Sequence, residues 1–526
     1  MLTWKIRTPI LVFIIALIMS PVFSEETFIL ALDTNAPIIA STGNIAAPSE
    51  AVAGTGAHYV RVNFILGPWS SPSDTARFGS PPRTWFETYD EIINSFLARG
   101  VQIYGLIGAE AVRPRPEGLN SEAYVQDYKA NFVSIVGHFK DRVRIFESFN
   151  EPNDWAGGTS SQVQPYWFAR MLEEIYLGVK YNNNHHSDPS WQVTLVSGPM
   201  FSHDLDTCEA YFNQVWDAGR RLLNWNQVKI LTGSYPLDGL GYHIYVEQGS
   251  TDPAVITSAM KVNLDAVWRA FTGLEGADTS KKIFVSEIGW TTQYISEEWQ
   301  ASNLKASIEY LRDDPRVLMV VWFCLKDFPN GEYGLFRASG LSFADRKPSW
   351  YRFRELAVPP HDALVNPGFE SGDLTGWDSW GQVDGAIQGP WFANISAGEG
   401  RYFLGAAANW GAKNGGLSQR VLVPVSTPCA VSVLVRTYRV GGNTNDTACR
   451  LGLHPAGSLD PSSLEIHWTD WTESPDSWTP FQHDIQSENG VLTVFLEFHQ
   501  SAPEWNITCF DGASLRIITP THFILY

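Results

Sequence analysis

The stretch IFESFNEPNDW, residues 145–155, decides how this chain is read. It begins as an apolar strand, yet Glu147 sits inside it and Glu151 at its end, between Asn150 and Pro152. Burying a carboxylate is costly unless a partner or a task compensates. Such a strand has to open onto a cleft, and its neighbours have to supply the partners.

Comparable runs recur on both sides about forty residues apart. They are TFILALD from Thr27, YVRVNFIL from Tyr59, VQIYGLI from Val101 and RIFESFN from Arg144, then QVTLVSG from Gln192, LDGLGYHIYV from Leu237, KIFVSEIG from Lys282 and VLMVVWF from Val317. Helical spacing fills the gaps. Trp85, Tyr89, Ile92 and Phe96 follow the i, i+4, i+7, i+11 rhythm up to Gly100; Phe168, Leu172, Ile175 and Val179 repeat it, as do Leu304, Ile308 and Leu311. Strand–helix alternation implies parallel pairing through crossover helices. Eight such units predict an α/β fold, a (β/α)8 TIM barrel over residues 25–358. A doubly wound open sheet is the rival, but the chain lacks the Gly-rich phosphate turn that such a sheet normally carries.

The pattern changes at Pro359–Pro360. The remainder is rich in Gly, Ser, Thr and Trp, and runs such as CAVSVLVRTYRV alternate as antiparallel strands do. An all-β sandwich is expected over residues 361–519. With 526 residues, more than one core is required.

Residues 1–24 read as a signal peptide, with Lys5 and Arg7 before a short apolar run and Val22 and Ser24 at the cleavage site. An uncleaved anchor is the alternative. The expected location is secreted, extracellular, with no membrane contact after cleavage. The net charge of −19 and the pI near 5.0 argue against nucleic acid and anionic membranes as partners. Five cysteines form no CxxC pair, so no zinc or redox motif is signalled. Cys429, Cys449 and Cys509 allow one disulfide after export, while Cys208 and Cys324 are expected as buried thiols. The 21 Trp fit either sugar-lined clefts or large β-rich cores.

In a barrel of this kind, chemistry sits at the C-terminal ends of the strands. Those ends carry Arg61 and Asn63, Asn150 and Glu151, His243 and Tyr245, Glu287, and Trp322. Two acids facing one another across the mouth suit cleavage of a glycosidic bond, one donating a proton and the other attacking the anomeric carbon. Their separation sets the stereochemistry: about 5 Å for retention, about 6.5–9.5 Å for inversion.

FESFNEPN, followed about 135 residues later by FVSEIGWT, resembles clan A of the glycoside hydrolases, with family 5 and family 39 as the nearest flavours. The resemblance implies Glu151 as acid/base, Glu287 as nucleophile, and a retaining double displacement on a β-linked polysaccharide or oligosaccharide. It further implies that Asn150 contacts the sugar 2-hydroxyl, that Tyr245 and Arg61 hold Glu287 ionised beside His243, and that Trp322 floors the −1 sugar. Trp290, just past Glu287, is a further candidate contact, with a core role as the alternative. Family 5 enzymes usually place a His at the end of strand three, where this chain has Gly108 or Glu110. Glu147 is expected as an interior carboxylate paired with an Arg or a backbone donor. Asp327 and Glu332 lie just past strand eight, where a substrate contact is the lesser alternative to a purely structural role.

NPGFESGDLTGW, from Asn366, resembles the opening of family 4/9-like carbohydrate-binding modules, which implies a core role for Trp377. Trp380, Trp391 and Trp410 are candidate loop platforms for sugar, with a spacer domain as the alternative. Asn394, Asn445 and Asn506 head N-x-[ST] sites. No cofactor is expected; His185–His186 beside Asp188 reads as a polar loop, and no G-x-S-x-G elbow is present. The expected partner is a glycan, the expected state a monomer, and the alternative function a non-catalytic glycan binder on a glycosidase-like barrel.

Overall fold

The computed structural model describes residues 28–153, 162–200, 205–361, 363–391, 394–408, 413–439, 447–473, 477–500 and 506–518. The leader, Trp410 and Asn445 lie outside these. Eight parallel strands close a barrel: β1 (Ile29–Asp33), β2 (Tyr59–Asn63), β3 (Gln102–Ile107), β4 (Ile145–Ser148), β5 (Thr194–Met200), β6 (Gly239–Ile244), β7 (Ile283–Ile288) and β8 (Val317–Trp322). All eight runs read from the sequence form these strands, and each pairs with its neighbour in chain order until β1 meets β8.

Helices α1 (Ser49–Gly54), α2 (Trp85–Leu97), α3 (Glu122–Phe139), α4 (Pro165–Lys180), α5 (Leu205–Asp217), α6 (Trp225–Thr232), α7 (Pro253–Glu275), α8 (Glu297–Arg312) and α9 (Pro348–Ala357) surround the barrel. In α2, Thr84 and Glu87 form a reciprocal capping box, which satisfies backbone donors left open at the start. Trp85, Tyr89, Ile92 and Phe96 are its buried stripe, as the spacing predicts.

Side-chain alternation separates two cores. Outward residues such as Val60, Phe146, Val285 and Trp322 join the core under the helices. Inward residues Ala31, Tyr104, Ile145, Val196, Phe284 and Val321 fill the barrel. Above them the interior turns polar, with Arg61, Glu147 and His243 at most 2% exposed. Gly241 makes room for this layer, since a Cβ there would stand 2.5 Å from the Ser197 carbonyl oxygen and 3.3 Å from a Glu147 oxygen.

One local irregularity aims a key side chain. Tyr242 pairs with Val285, but the next residue, His243, pairs with Glu287, so β7 carries an extra residue at Ser286. The shift recurs against β8, where Val320 pairs with Val285 and Trp322 with Ile288. By plain alternation Glu287 would share the outward parity of Val285. The bulge turns it inward.

The C-terminal strands are β9 (Asp378–Gly381), β10 (Gly385–Gln388), β11 (Tyr402–Ala408), β12 (Lys413–Leu422), β13 (Pro428–Arg439), β14 (Thr447–His454), β15 (His467–Trp468), β16 (Thr479–Gln486), β17 (Val491–Gln500) and β18 (Asn506–Ile517). They form two five-stranded sheets, β9-β12-β17-β14-β15 and β10-β11-β18-β13-β16, which pack as a sandwich over Leu404, Leu417, Leu451, Leu496 and Phe510. The barrel abuts it through α9: Arg354 pairs with Asp378, and Arg420 donates to the carbonyls of Glu355 and Val358 at 2.7 and 3.1 Å.

Two expectations change here. All five cysteines are buried thiols, so the disulfide is not formed: Cys429 pairs across the sheet with Ile517 while Cys509 pairs with Arg436, far along the same ladder. Trp380 is not a loop platform but a strand residue, 7% exposed and packed edge-on against Phe495. Trp391 is half-buried and packs on Phe403. Trp377 lies in the core, donating to the Asn366 carbonyl at 3.1 Å, as the opening motif implies.

Candidate active site

Eight side chains meet at the C-terminal mouth of the barrel, organised by one guanidinium. Arg61, at the end of β2, donates through Nε to Glu147 at 2.7 Å and through Nη2 to the Asn150 side-chain oxygen at 2.8 Å. Its Nη1 reaches Glu287 at 2.6 Å and Asp33 at 3.2 Å. The unidentified partner of Glu147 is therefore Arg61. One cation faces three carboxylates, which together hold Arg61 charged against the burial that opposes its charge.

Glu287 accepts from Arg61 on one oxygen and from the Tyr245 hydroxyl on the other, at 2.7 Å. Burial opposes its ionisation, but His243, Arg61 and Tyr245 outweigh that and hold its carboxyl below the usual range. Tyr245 titrates far above the ordinary phenol, because it is buried and sits against Glu287, so it stays a donor.

Glu151 follows β4 and faces a cleft of about 780 Å³ lined also by Glu110, Arg113, Tyr124 and Asn150. Its backbone has φ +42° and that of Phe149 φ +65°, conformations costly for residues with side chains and concentrated at functional sites. One Glu151 oxygen lies 2.7 Å from His243 Nδ1, and His243 Nε2 lies 3.6 Å from Glu287. Burial lowers the affinity of His243 for a proton, but Glu287 and Glu151 raise it more, so the ring titrates above its ordinary value. His243 thus spans the two acids, and one donor atom from each of the three lies within 4.8 Å of the others.

That trio is also the group, among the described residues, that could hold a cation. Its atoms are already engaged with one another, and the Arg61 guanidinium beside Glu287 would repel a second positive charge.

The structure separates Trp322 and Trp290 from this site. Both are fully buried, stacked on each other at 6.3 Å in the layer under the helices, and their indoles donate to the carbonyls of Tyr333 and Glu247. Strand parity is the reason: Val321 points in, Trp322 points out, and the next inward position belongs to Phe323. The aromatic wall beside Tyr245 is built by Phe323 and Tyr333, at 6.5 and 5.8 Å, both half-buried. Asp327 is buried in an ion pair with Lys347 at 2.8 Å and shapes the loop after β8. Glu332 is exposed and lines a second cleft of about 880 Å³ with Asn35, Thr292 and Phe328.

Asp33 escaped the sequence reading, although its signal was an acid closing a strand in TFILALD. It is 8% exposed, and burial pushes its carboxyl up to about 6 although Arg61 pulls the other way.

No protein-family model and no curated protein matches the sequence. Among solved structures, the chain is similar to a family 39 glycoside hydrolase from the gut symbiont Bacteroides cellulosilyticus WH2, with 13% identity and TM-score 0.42 over 89% of this chain and 81% of that one. It is similar to xylanase 10B from Thermotoga maritima, with 14% identity and TM-score 0.41 over 63% of this chain and 95% of that one. It is also similar to a family 61 carbohydrate-binding module solved with β-1,4-galactotriose, with 16% identity and TM-score 0.24 over 30% of this chain and 99% of that one.

Proposed function

We propose that this chain is an exported glycoside hydrolase that cleaves a β-linked polysaccharide or oligosaccharide with retention of configuration. The observation that carries the reading is the approach of Glu151 and Glu287 across the mouth, with oxygens within 4.8 Å. That spacing suits direct attack by one carboxylate and leaves no room for the water an inverting pair needs.

In the first step a Glu287 oxygen attacks the anomeric carbon, the bond to the leaving oxygen breaks, and a Glu151 proton passes to that oxygen. Water then attacks the same carbon, its proton returns to Glu151, and Glu287 leaves as a carboxylate. Arg61 and Tyr245 keep Glu287 ionised for attack; His243 occupies one Glu151 oxygen and leaves the other for the proton. Asn150, oriented by Arg61, is placed to meet a sugar hydroxyl. Phe323 and Tyr333, rather than Trp322, form the apolar wall. The sandwich is assigned to glycan binding, and export rests on the pattern of residues 1–24.

The test is hydrolysis of soluble xylans, glucans, mannans and galactans, with the anomer of the first product read by NMR. A β-anomer formed first from a β-linked substrate supports the reading. An α-anomer, or no hydrolysis across the panel, overturns it.

A further inference from the structure

The sheet β9-β12-β17-β14-β15 buries one face in the sandwich and turns the other outward. Part of that outer face is covered: Trp380, Phe495 and Ile466 pack with Phe343, which belongs to the loop following β8. Beyond this contact the face carries a different group of side chains.

The Arg450 guanidinium lies between two indoles, 4.0 Å from the Trp468 ring centre and 4.3 Å from that of Trp471. Its Nε donates to Glu497 at 2.5 Å. Trp468 lies flat on β14, where a Cβ at Gly452 would come within 2.5 Å of the ring. Trp471 is 43% exposed, and its neighbour Thr472 exchanges two backbone hydrogen bonds with Cys449. His499, also exposed, stands 5.9 Å from the Trp471 ring.

Stacking on Arg450 holds Trp471 in one orientation before any ligand arrives, which removes part of the ordering cost of binding. The exposed indole offers an apolar plane, and the Arg450–Glu497 pair beside it supplies donors and acceptors. Because the two charges neutralise one another, the surface suits a neutral polar ligand and not a phosphate or sulfate. We propose that this outer face is a glycan-binding site, with Trp471 as the platform for a pyranose ring of a neutral polysaccharide and Arg450, Glu497 and His499 engaging its hydroxyls. The proposal rests on reading the chain as carbohydrate-active. The face runs on into the Phe343 contact, and the loop bearing Phe343 begins at Phe323 in the catalytic mouth. A polysaccharide held at Trp471 is therefore kept on the barrel side of the sandwich.

The test uses the full chain carrying Glu287→Gln, to prevent digestion, in gels containing soluble β-1,4-galactan, xylan, mannan or mixed-linkage β-glucan. Retardation by at least one polymer is expected, weakened roughly tenfold or more by Trp471→Ala and also reduced by Arg450→Lys, which keeps the charge but loses the planar stack. Trp471→Ala in the otherwise native chain should leave hydrolysis of a small aryl glycoside unchanged, which controls for folding and separates this site from the cleft. Equal retardation of the Trp471 variant, or no retardation of the parent by any polymer, overturns the proposal. Trp471-dependent retardation in a chain that hydrolyses nothing would sink the hydrolase reading and leave this one standing.

Discussion

Arg61 Nη1 lies 2.6 Å from Glu287 and is shared with Asp33 at 3.2 Å, so one nitrogen ties a proposed nucleophile to a buried acid two strands away around the barrel. Removing this arginine strands three buried carboxylates at once. Arg61→Met should therefore destabilise the chain by about 3–5 kcal/mol, the cost of breaking a buried pair, read from urea denaturation midpoints at pH 7. A loss under about 1 kcal/mol would mean that the cluster does not hold the barrel mouth together.

Tyr245 donates to the ionised form of Glu287 and so favours it. Tyr245→Phe removes that donor and raises the Glu287 pKa. The acid limb of kcat/KM should move upward by about one pH unit, equivalent to about 1.4 kcal/mol. An unmoved limb would show that Arg61 and His243 suffice.

Asp33 has the opposite sign. Its folded pKa of about 6 lies above the ordinary 3.8, so its contribution is fully present below about pH 4 and is lost as pH rises through about 6. Stability should fall across that window by up to about 3 kcal/mol, and Asp33→Asn should flatten the fall. Urea midpoints at pH 4, 5, 6 and 7 report it. Glu287, held low, has the opposite sign: its contribution is lost only as pH falls below about 4.5, so it overlaps the acid end of this window alone, and the fall between pH 5 and 7 reports Asp33.

Trp322 and Phe323 are adjacent, but their side chains face different cores. Trp322→Ala should cost about 3–5 kcal/mol of stability through loss of a fully buried ring. Phe323→Ala should chiefly raise KM. Paired denaturation and kinetic measurements distinguish these; a KM effect confined to Trp322 would restore the sequence expectation.

The strand-and-helix beat was legible throughout the barrel because apolar runs and helical stripes are local signals. Glu151 and Glu287 were legible as acids at strand ends, and the structure brings them together with Arg61, Asn150, His243 and Tyr245. What the sequence hid depends on register. The extra residue at Ser286 that turns Glu287 inward has no Gly or Pro to announce it. The outward parity of Trp322 follows only once the inward set of β8 is known. In the sandwich, Trp380 read as a loop residue because Gly flanks it, yet it lies under Phe343 of the barrel loop, while Trp471 was passed over. Contacts between distant segments decide such cases, and they leave no mark in a local window.

Attack by Glu287 on the sugar would leave a covalent glycosyl-enzyme that can be trapped. An activated 2-deoxy-2-fluoro glycoside of the sugar that the wild-type chain releases should inactivate the enzyme, with the added mass mapping to the peptide carrying Glu287. A label on any other residue, or an inverted product with no labelled peptide, would rule Glu287 out as the nucleophile.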